Sequence, residues 1–323
     1  MRVLIVGAAG SLGRQLAPEL AGRGHEVVCF DLTRREASPY QWVTGDIRVP
    51  HMLSEAAAGC DALVHIPAWH GIHLRHRTHR DFWELNVDGA FNAFQAALTV
   101  GARKLLYCSA MGVYGGIPRP PERALRITDE SPVTPADDIY ATTKVVGEQL
   151  CTLYHRAYGL AVVAFRLGMF VPVDFVQYGM RLLHGGVDER DLAQAFRLAL
   201  EDDAVVDGTF NLFAPTPFAA DDETALVADP LAVVRRHYPD AAVLERAARG
   251  RTLAPNWYTT TLEGALVPIP IRVYWESARA HEQLGWRPQH DFARFLRDLG
   301  DDTADYVRDN RYPVPDAPTP WHP

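Results

Sequence analysis

Four cysteines in 323 residues (Cys29, Cys60, Cys108 and Cys151) are too scattered to frame a disulfide-stapled fold, and no CxxC pair is present to hold zinc. They read as small buried hydrophobes of a reducing compartment. No stretch reaches the ~18 consecutive apolar residues of a membrane helix. Met1-Arg2 leads straight into an apolar strand, without the basic start and long apolar core of a leader. Positive charge is also in short supply. The 32 Lys and Arg are outnumbered by 40 Asp and Glu, giving a net charge of −8. That balance excludes a broad basic face for nucleic acid, though not a local basic pocket. The expectation is a cytoplasmic protein with neither membrane nor nucleic acid as partner.

The hydrophobic share of 48% and charged share of 22% are those of an ordinary globular protein, long enough for one large or two modest domains. Short apolar runs at Val3–Val6, Glu26–Asp31, Trp42–Thr44, Ala62–Ile66, Lys104–Cys108 and Ala161–Arg166 read as strands. Helical patterns at Leu12–Gly22, Met52–Ala58, Phe82–Val100 and Tyr140–Tyr158 alternate with them. This order predicts an α/β fold, a doubly wound parallel Rossmann sheet over residues 1–166. After Arg166 the alternation weakens, with a helix expected over Asp188–Glu201, a strand over Thr209–Phe213 and a short helix over Ala278–Leu284. Residues 167–323 therefore read as a smaller C-terminal substrate-binding region interleaved with late Rossmann strands, and the proline-rich 313–323 as an extended tail.

Directly after the first strand comes Gly7-Ala-Ala-Gly10-Ser11-Leu12-Gly13. Gly7 allows the tight turn, Gly10 lets backbone approach a pyrophosphate, and Gly13 permits close helix–strand packing. The helix that opens there aims its first amides at the negative charge. Asp31 ends the second strand, where a carboxylate can accept both ribose hydroxyls of NAD and repel the extra phosphate of NADP. NAD is favoured; Arg34 and Arg35, able to bend over a 2′-phosphate, keep NADP open. Asp46, in Gly45-Asp46-Ile47, either accepts an adenine amino group or is a turn aspartate.

Tyr140 and Lys144 stand at i and i+4, so their side chains share one helix face. An ammonium beside a phenol lowers the phenol's pKa from its reference of ~10. The resulting phenolate can take a proton from a hydroxyl while hydride leaves the carbon for nicotinamide.

Together with Asn86-Val-Asp-Gly-Ala-Phe-Asn92, Val113-Tyr114-Gly115 and Ala280-His-Glu-Gln-Leu-Gly285-Trp-Arg-Pro288, these motifs resemble the extended short-chain dehydrogenase/reductases. The resemblance is to the nucleotide-sugar epimerase and dehydratase group, and it runs from Met1 to about Pro288. It implies that Tyr140 is the acid/base and that Lys144 lowers its pKa and holds the nicotinamide ribose. Asp31 would hold the adenosine ribose and Asp46 with Ile47 the adenine. Ser11 and Leu12 belong to the pyrophosphate turn. His65-Ile66-Pro67-Ala68 and Asn86 would line the cofactor, and Arg166-Leu167-Gly-Met-Phe170 would approach the nicotinamide. The resemblance also implies a homodimer built on the helices at Phe82–Val100 and Tyr140–Tyr158, with Phe91, Phe94, Leu98, Val145 and Leu153 as apolar faces that could equally cover the sheet.

Two departures matter. Where the family carries a catalytic Ser or Thr, three residues before Val113, this chain has Ala110. Ser109 can replace it only if the strand is bulged or shifted, because neighbouring side chains point to opposite faces. Met111-Gly112 stand where the dehydratases have an Asp-Glu pair, which argues against dehydration and leaves Met111 as a substrate neighbour. The second departure is the short Val171–Gly186 segment, which favours a substrate smaller than a sugar nucleotide, as in the uronate dehydrogenases.

His70, His73, His76 and His79 recur every third residue. No carboxylate or cysteine accompanies them as a metal set, and no metal is expected. With Arg75, Arg77 and Arg80 they form either a pocket for a carboxylate or phosphate or a solvated basic loop; His70 and His73 lie nearest the strand end. Arg181 is either a second anion-binding residue or surface charge. Trp257, Trp275 and Trp286 are expected to pack. The whole predicts an NAD-dependent oxidoreductase acting on a secondary hydroxyl or ketone of a sugar or uronate. Its alternatives are an epimerase with transient oxidation and an NAD-binding regulatory protein in which Ala110 marks weakened catalysis.

Overall fold

The computed structural model describes residues 1–35, 38–248, 258–301 and 303–314. The first half alternates β1 (Arg2–Val6), α1 (Ser11–Gly22), β2 (Glu26–Asp31), β3 (Gln41–Thr44), α2 (Pro50–Ala57), β4 (Ala62–His65), α3 (His79–Trp83), α4 (Gly89–Thr99) and β5 (Lys104–Ala110). It continues through β6 (Leu125–Ile127), α5 (Ile139–Tyr158), β7 (Ala161–Leu167), α6 (Phe175–Leu182), α7 (Glu189–Glu201) and β8 (Asp207–Leu212). The remainder holds α8 (Glu223–Ala228), α9 (Pro230–His237), β9 (Thr259–Leu262), β10 (Ala265–Pro268), β11 (Val273–Trp275), α10 (Ala278–Gln283), α11 (Phe292–Gly300) and α12 (Asp305–Arg308).

Seven strands form one parallel sheet in the order β3-β2-β1-β4-β5-β7-β8. The chain winds outward from β1 to β3, then crosses to β4 and winds the other way. The carboxyl ends of β1 and β4 therefore flank the crevice where such sheets bind ligands. Alternation along β1 sends Val3 and Ile5 to the face covered by α1 and α7, with Leu16, Phe165 and Phe196. Leu4 and Val6 go to the opposite face, with Phe94, Tyr107 and Tyr154. Both faces being apolar explains why these strands read as continuous hydrophobic runs.

The chain beyond Arg166 divides. α7 packs on α1 and β8 extends the sheet, whereas α6 joins α11 in a separate core around Phe175, Met180, Leu226 and Phe295. The helix expected over Phe82–Val100 is interrupted: α3 and α4 are joined by a π-helical turn, Glu84–Asp88. The turn buries Asn86, a polar residue whose amide is then fully bonded. All four cysteines are buried and unbridged, and Trp275 and Trp286 are buried. Trp257 and all of the tail except Pro313 and Val314 lie outside the described residues. Among the described residues, no helix is long and apolar enough to cross a membrane.

Candidate active site

A cleft of about 480 Å³ opens at the switch point, bounded by Gly7, Gly10, Ser11 and Leu12, by Asp31, by Ile66, Pro67 and Ala68, and by Phe170–Pro172. Gly7 has φ +86°, and a Cβ there would press on the Pro67 ring at 3.0 Å. Gly10 caps α1 with no side chain, so the first-turn amides of Ser11 and Leu12, which have no intrahelical acceptor, face the cleft. Gly13 does not line it. A Cβ there would stand 2.6 Å from Ala8 Cα and from the Gly7 carbonyl oxygen, so its role is close packing of α1 on the turn. At the end of β2, Asp31 accepts the Ala9 N–H through Oδ2 at 3.0 Å and the Thr33 N–H through Oδ1 at 3.2 Å. The carboxylate is thereby fixed at the cleft wall. The side-chain-free amide cradle, the fixed carboxylate and the apolar slot between Ile66 and Phe170 fit NAD.

Several expected contacts are corrected. Asp46 is held in a forked pair by Arg48, with contacts of 3.0, 3.1 and 2.6 Å, and this pairing holds its carboxyl below the usual range. Ile47 and Arg48 line the cleft; Asp46 does not. Asn86 spends its amide within the protein: Oδ1 accepts the Trp69 N–H at 2.8 Å, while Nδ2 donates to the Trp69 carbonyl and to Thr143 Oγ1. It rivets the loop after β4 to α5, with both amide hydrogens committed. Leu167 is buried in the sheet core, and the wall beyond β7 is formed by Phe170–Pro172.

Asp138 caps α5 by accepting the Ala141 N–H at 2.7 Å, which starts the helix just before Tyr140. Lys144 lies one turn on, with Nζ 5.9 Å from the Tyr140 ring centre, and donates to the Cys108 carbonyl at 2.7 Å. Burial pushes Lys144 down to about 8. Burial, with Cys108 and Asp138 adding to it, pushes the Tyr140 phenol above its usual value. The expected lowering of Tyr140 by Lys144 is not seen here: desolvation of the phenolate dominates, and the ammonium is engaged by a carbonyl. Tyr140 and Lys144 are not lining residues of the cleft, whereas His70 lines it, with its ring centre 6.4 Å from that of Tyr140.

Ser109 does not replace the missing hydroxyl. β5 pairs with β7 without a bulge through Ser109↔Arg166 and Ala110↔Leu167, and the Ser109 hydroxyl donates to Glu148 at 2.6 Å. Met111 packs in the turn Met111–Tyr114 against the Trp275 cluster and does not line the cleft. Arg181 is not surface charge. It is buried, donates to the Val171 carbonyl behind the cleft wall, and leaves Nε and Nη2 without partners. Beside it, burial and the neighbouring Asp188 push Glu189 up to about 8.

The histidine run divides likewise. His70 and His73 line the cleft, but desolvation takes His70 down to about 3 and lowers His73, so neither makes the pocket positive near neutrality. Arg77 lies 4.3 Å over the Trp69 ring, Arg80 pairs with Glu84, and Arg75 is exposed. Among the described residues no cluster could hold a metal. Sequence reasoning missed Arg48, Trp69, Val171 and Pro172 as lining residues. All four follow strand ends on the crevice side of the sheet, a position that could have flagged them.

Residues 3–171 match the model of the NAD dependent epimerase/dehydratase family. An L-arabinose 1-dehydrogenase (NAD(P)(+)) of Haloferax volcanii is 30% identical over 196 residues, which are 55% of this chain and 71% of that protein. A uronate dehydrogenase of Pseudomonas putida is 27% identical over 202 residues, 62% of this chain and 71% of that protein. Among solved structures, an NAD-bound short-chain dehydrogenase/reductase superfamily protein from Agrobacterium tumefaciens shares the fold. Its TM-score is 0.66 at 20% identity, covering 93% of this chain and 96% of that one. On the matched half that carries the glycine turn and the Tyr140–Lys144 pair, this chain belongs to the NAD dependent epimerase/dehydratase family and is an NAD-dependent enzyme of the extended short-chain dehydrogenase type.

Proposed function

We propose that this enzyme oxidises a secondary hydroxyl of a sugar or sugar acid, releasing NADH. The observation that carries the reading is the convergence of a dinucleotide cradle with Tyr140 and Lys144 on one face of α5 behind it. Oxidised nicotinamide, when bound, supplies the hydride acceptor and a positive charge. The amides of Ser11 and Leu12 hold the pyrophosphate, and Asp31 holds the adenosine ribose. Tyr140 Oη takes the hydroxyl proton, and Lys144, one turn along the same helix face, places its ammonium beside the ring. Asp31 and the absence of Arg34 and Arg35 from the cleft lining favour NAD over NADP.

A compact substrate is supported by the wall beyond β7. Seven of the eight residues of α6 are buried in the C-terminal core, so this stretch packs as a wall and leaves little to grip a nucleotide. Arg181 behind Val171 supports a carboxylate on that substrate. The named dehydrogenases of arabinose and uronate are consistent with a compact substrate, and the uronate dehydrogenase with a carboxylate on it. The test is a screen of NAD⁺ against uronates, aldoses and sugar nucleotides, reading NADH and product mass together. Stoichiometric NADH with a product two mass units lighter supports oxidation. An isomer of unchanged mass with no NADH moves the protein to epimerisation.

A homodimer on α4 and α5 belongs to the same reading. Phe94 is consumed by the protein's own core, while Phe91, Leu153 and Tyr158 are exposed on these two helices. Light scattering of Leu153→Asp tests it: dissociation to monomer is expected, and an unchanged mass contradicts it.

A further inference from the structure

As the hydroxyl proton is withdrawn ahead of hydride transfer, negative charge builds on the reacting oxygen, and a second fixed donor besides the acid/base stabilises it strongly. The polar groups around Tyr140 are mostly committed elsewhere. Ser109 donates to Glu148, Lys144 Nζ donates to the Cys108 carbonyl, and Thr143 Oγ1 donates to the Tyr140 carbonyl. Ala110 and Gly112, the strand-end neighbours, offer no side-chain polar atom. His70 differs. It lines the cleft, and its ring centre lies 6.4 Å from that of Tyr140.

Its placement is fixed from both sides. Asn86 clamps the preceding residue, Trp69, through both backbone groups and ties it to Thr143, next but two to Tyr140 on α5. On the other side the His70 N–H donates to His73 Nδ1 at 3.0 Å, and His73 N–H returns to the His70 carbonyl at 2.8 Å. The backbone that carries the ring is thereby tied to the helix of the acid/base, the kind of support a donor needs to act in a transition state. Burial keeps the imidazole neutral near neutrality, so it keeps one N–H to donate.

We propose that His70 is a catalytic residue: its imidazole N–H donates a hydrogen bond to the substrate oxygen that Tyr140 deprotonates. The proton passes to Tyr140 Oη and the hydride to nicotinamide; His70 gains and loses none. The inference rests on the oxidation reading above, and the experiment separates the two. Wild-type turnover is established first, as NADH release or, should that reading fail, as interconversion of epimers; either rate then serves to test His70.

His70→Ala is expected to lower kcat about a hundredfold, with NAD affinity by calorimetry unchanged and KM little altered. His70→Asn, which keeps a donor, should recover most of the loss. Ala110→Ser added to His70→Ala should recover it by restoring a hydroxyl at the end of β5. Wild-type kcat in His70→Ala would overturn the inference. So would a loss that neither His70→Asn nor Ala110→Ser repairs, or a parallel loss of NAD affinity, since these mark a structural role.

Discussion

The Ser109 hydroxyl donates to Glu148 Oε1 across 2.6 Å, and Glu148 grips Arg166 with both oxygens at 2.9 and 2.7 Å. Arg166 reaches on to the Tyr114 hydroxyl at 2.6 Å, which in turn donates to Asn211 Oδ1. Ser109 is the first link of a buried chain that ties β5, α5, β7 and β8 together. Ser109→Ala should therefore destabilise the fold by about 1–3 kcal/mol in urea unfolding and leave kcat unchanged. A large loss of kcat at unchanged stability would return Ser109 to the reacting oxygen.

Tyr140→Phe removes only the hydroxyl that the proposed reading makes the proton acceptor. The expected result is a fall in kcat of about 10²–10⁴-fold with NAD affinity retained. Full activity in this variant would place the acid/base elsewhere.

The proposed reading has Asp31 hold the adenosine ribose. Asp31→Ala removes an ionised acceptor, so NAD affinity should fall about tenfold to hundredfold. NADP use should rise relative to NAD, measured as the ratio of the two kcat/KM values. An unchanged ratio would mean that the carboxylate does not read the ribose.

The proposed reading makes Arg181 the residue that separates acidic from neutral substrates. In Arg181→Met the KM for a uronate should rise about tenfold or more, while that for a neutral aldose stays within about twofold. Equal changes for both would assign Arg181 to the fold alone.

His65 gives the fold an acid limit. Burial, with the Lys144 charge adding to it, lowers its pKa from 6.5 to about 3. The folded state therefore binds fewer protons than the unfolded one between these values. The stability it contributes is present above about pH 6.5 and is lost as pH falls toward 3. Unfolding free energy should decline over that window, and His65→Phe should decline less steeply. Parallel curves would show that other groups set the limit.

The doubly wound sheet was legible because its strands are apolar on both faces and each ends in a turn residue with a defined task. Gly7, Gly10 and Asp31 lie where their spacing to β1 and β2 requires. Asp46 and Asn86 were legible as positions but not as partners, since Arg48 and Trp69 compete for them only once the chain is folded. The Tyr140–Lys144 spacing fixed a shared helix face, yet the sign of the Tyr140 shift depends on burial, which spacing does not carry. Arg181 looked as much like surface charge as like a site because only the packing of α6 on α11 encloses it. His70 stood out as one of four histidines; its separation from the others comes from the Asn86 clamp.

Deuterium at the carbon bearing the reacting hydroxyl tests the central claim most directly. With a uronate or aldose that turns over, net oxidation predicts deuterium in the released NADH and a product lacking it. Deuterium retained in a sugar of inverted configuration, with no labelled NADH released, would contradict the account and make the reaction an epimerisation.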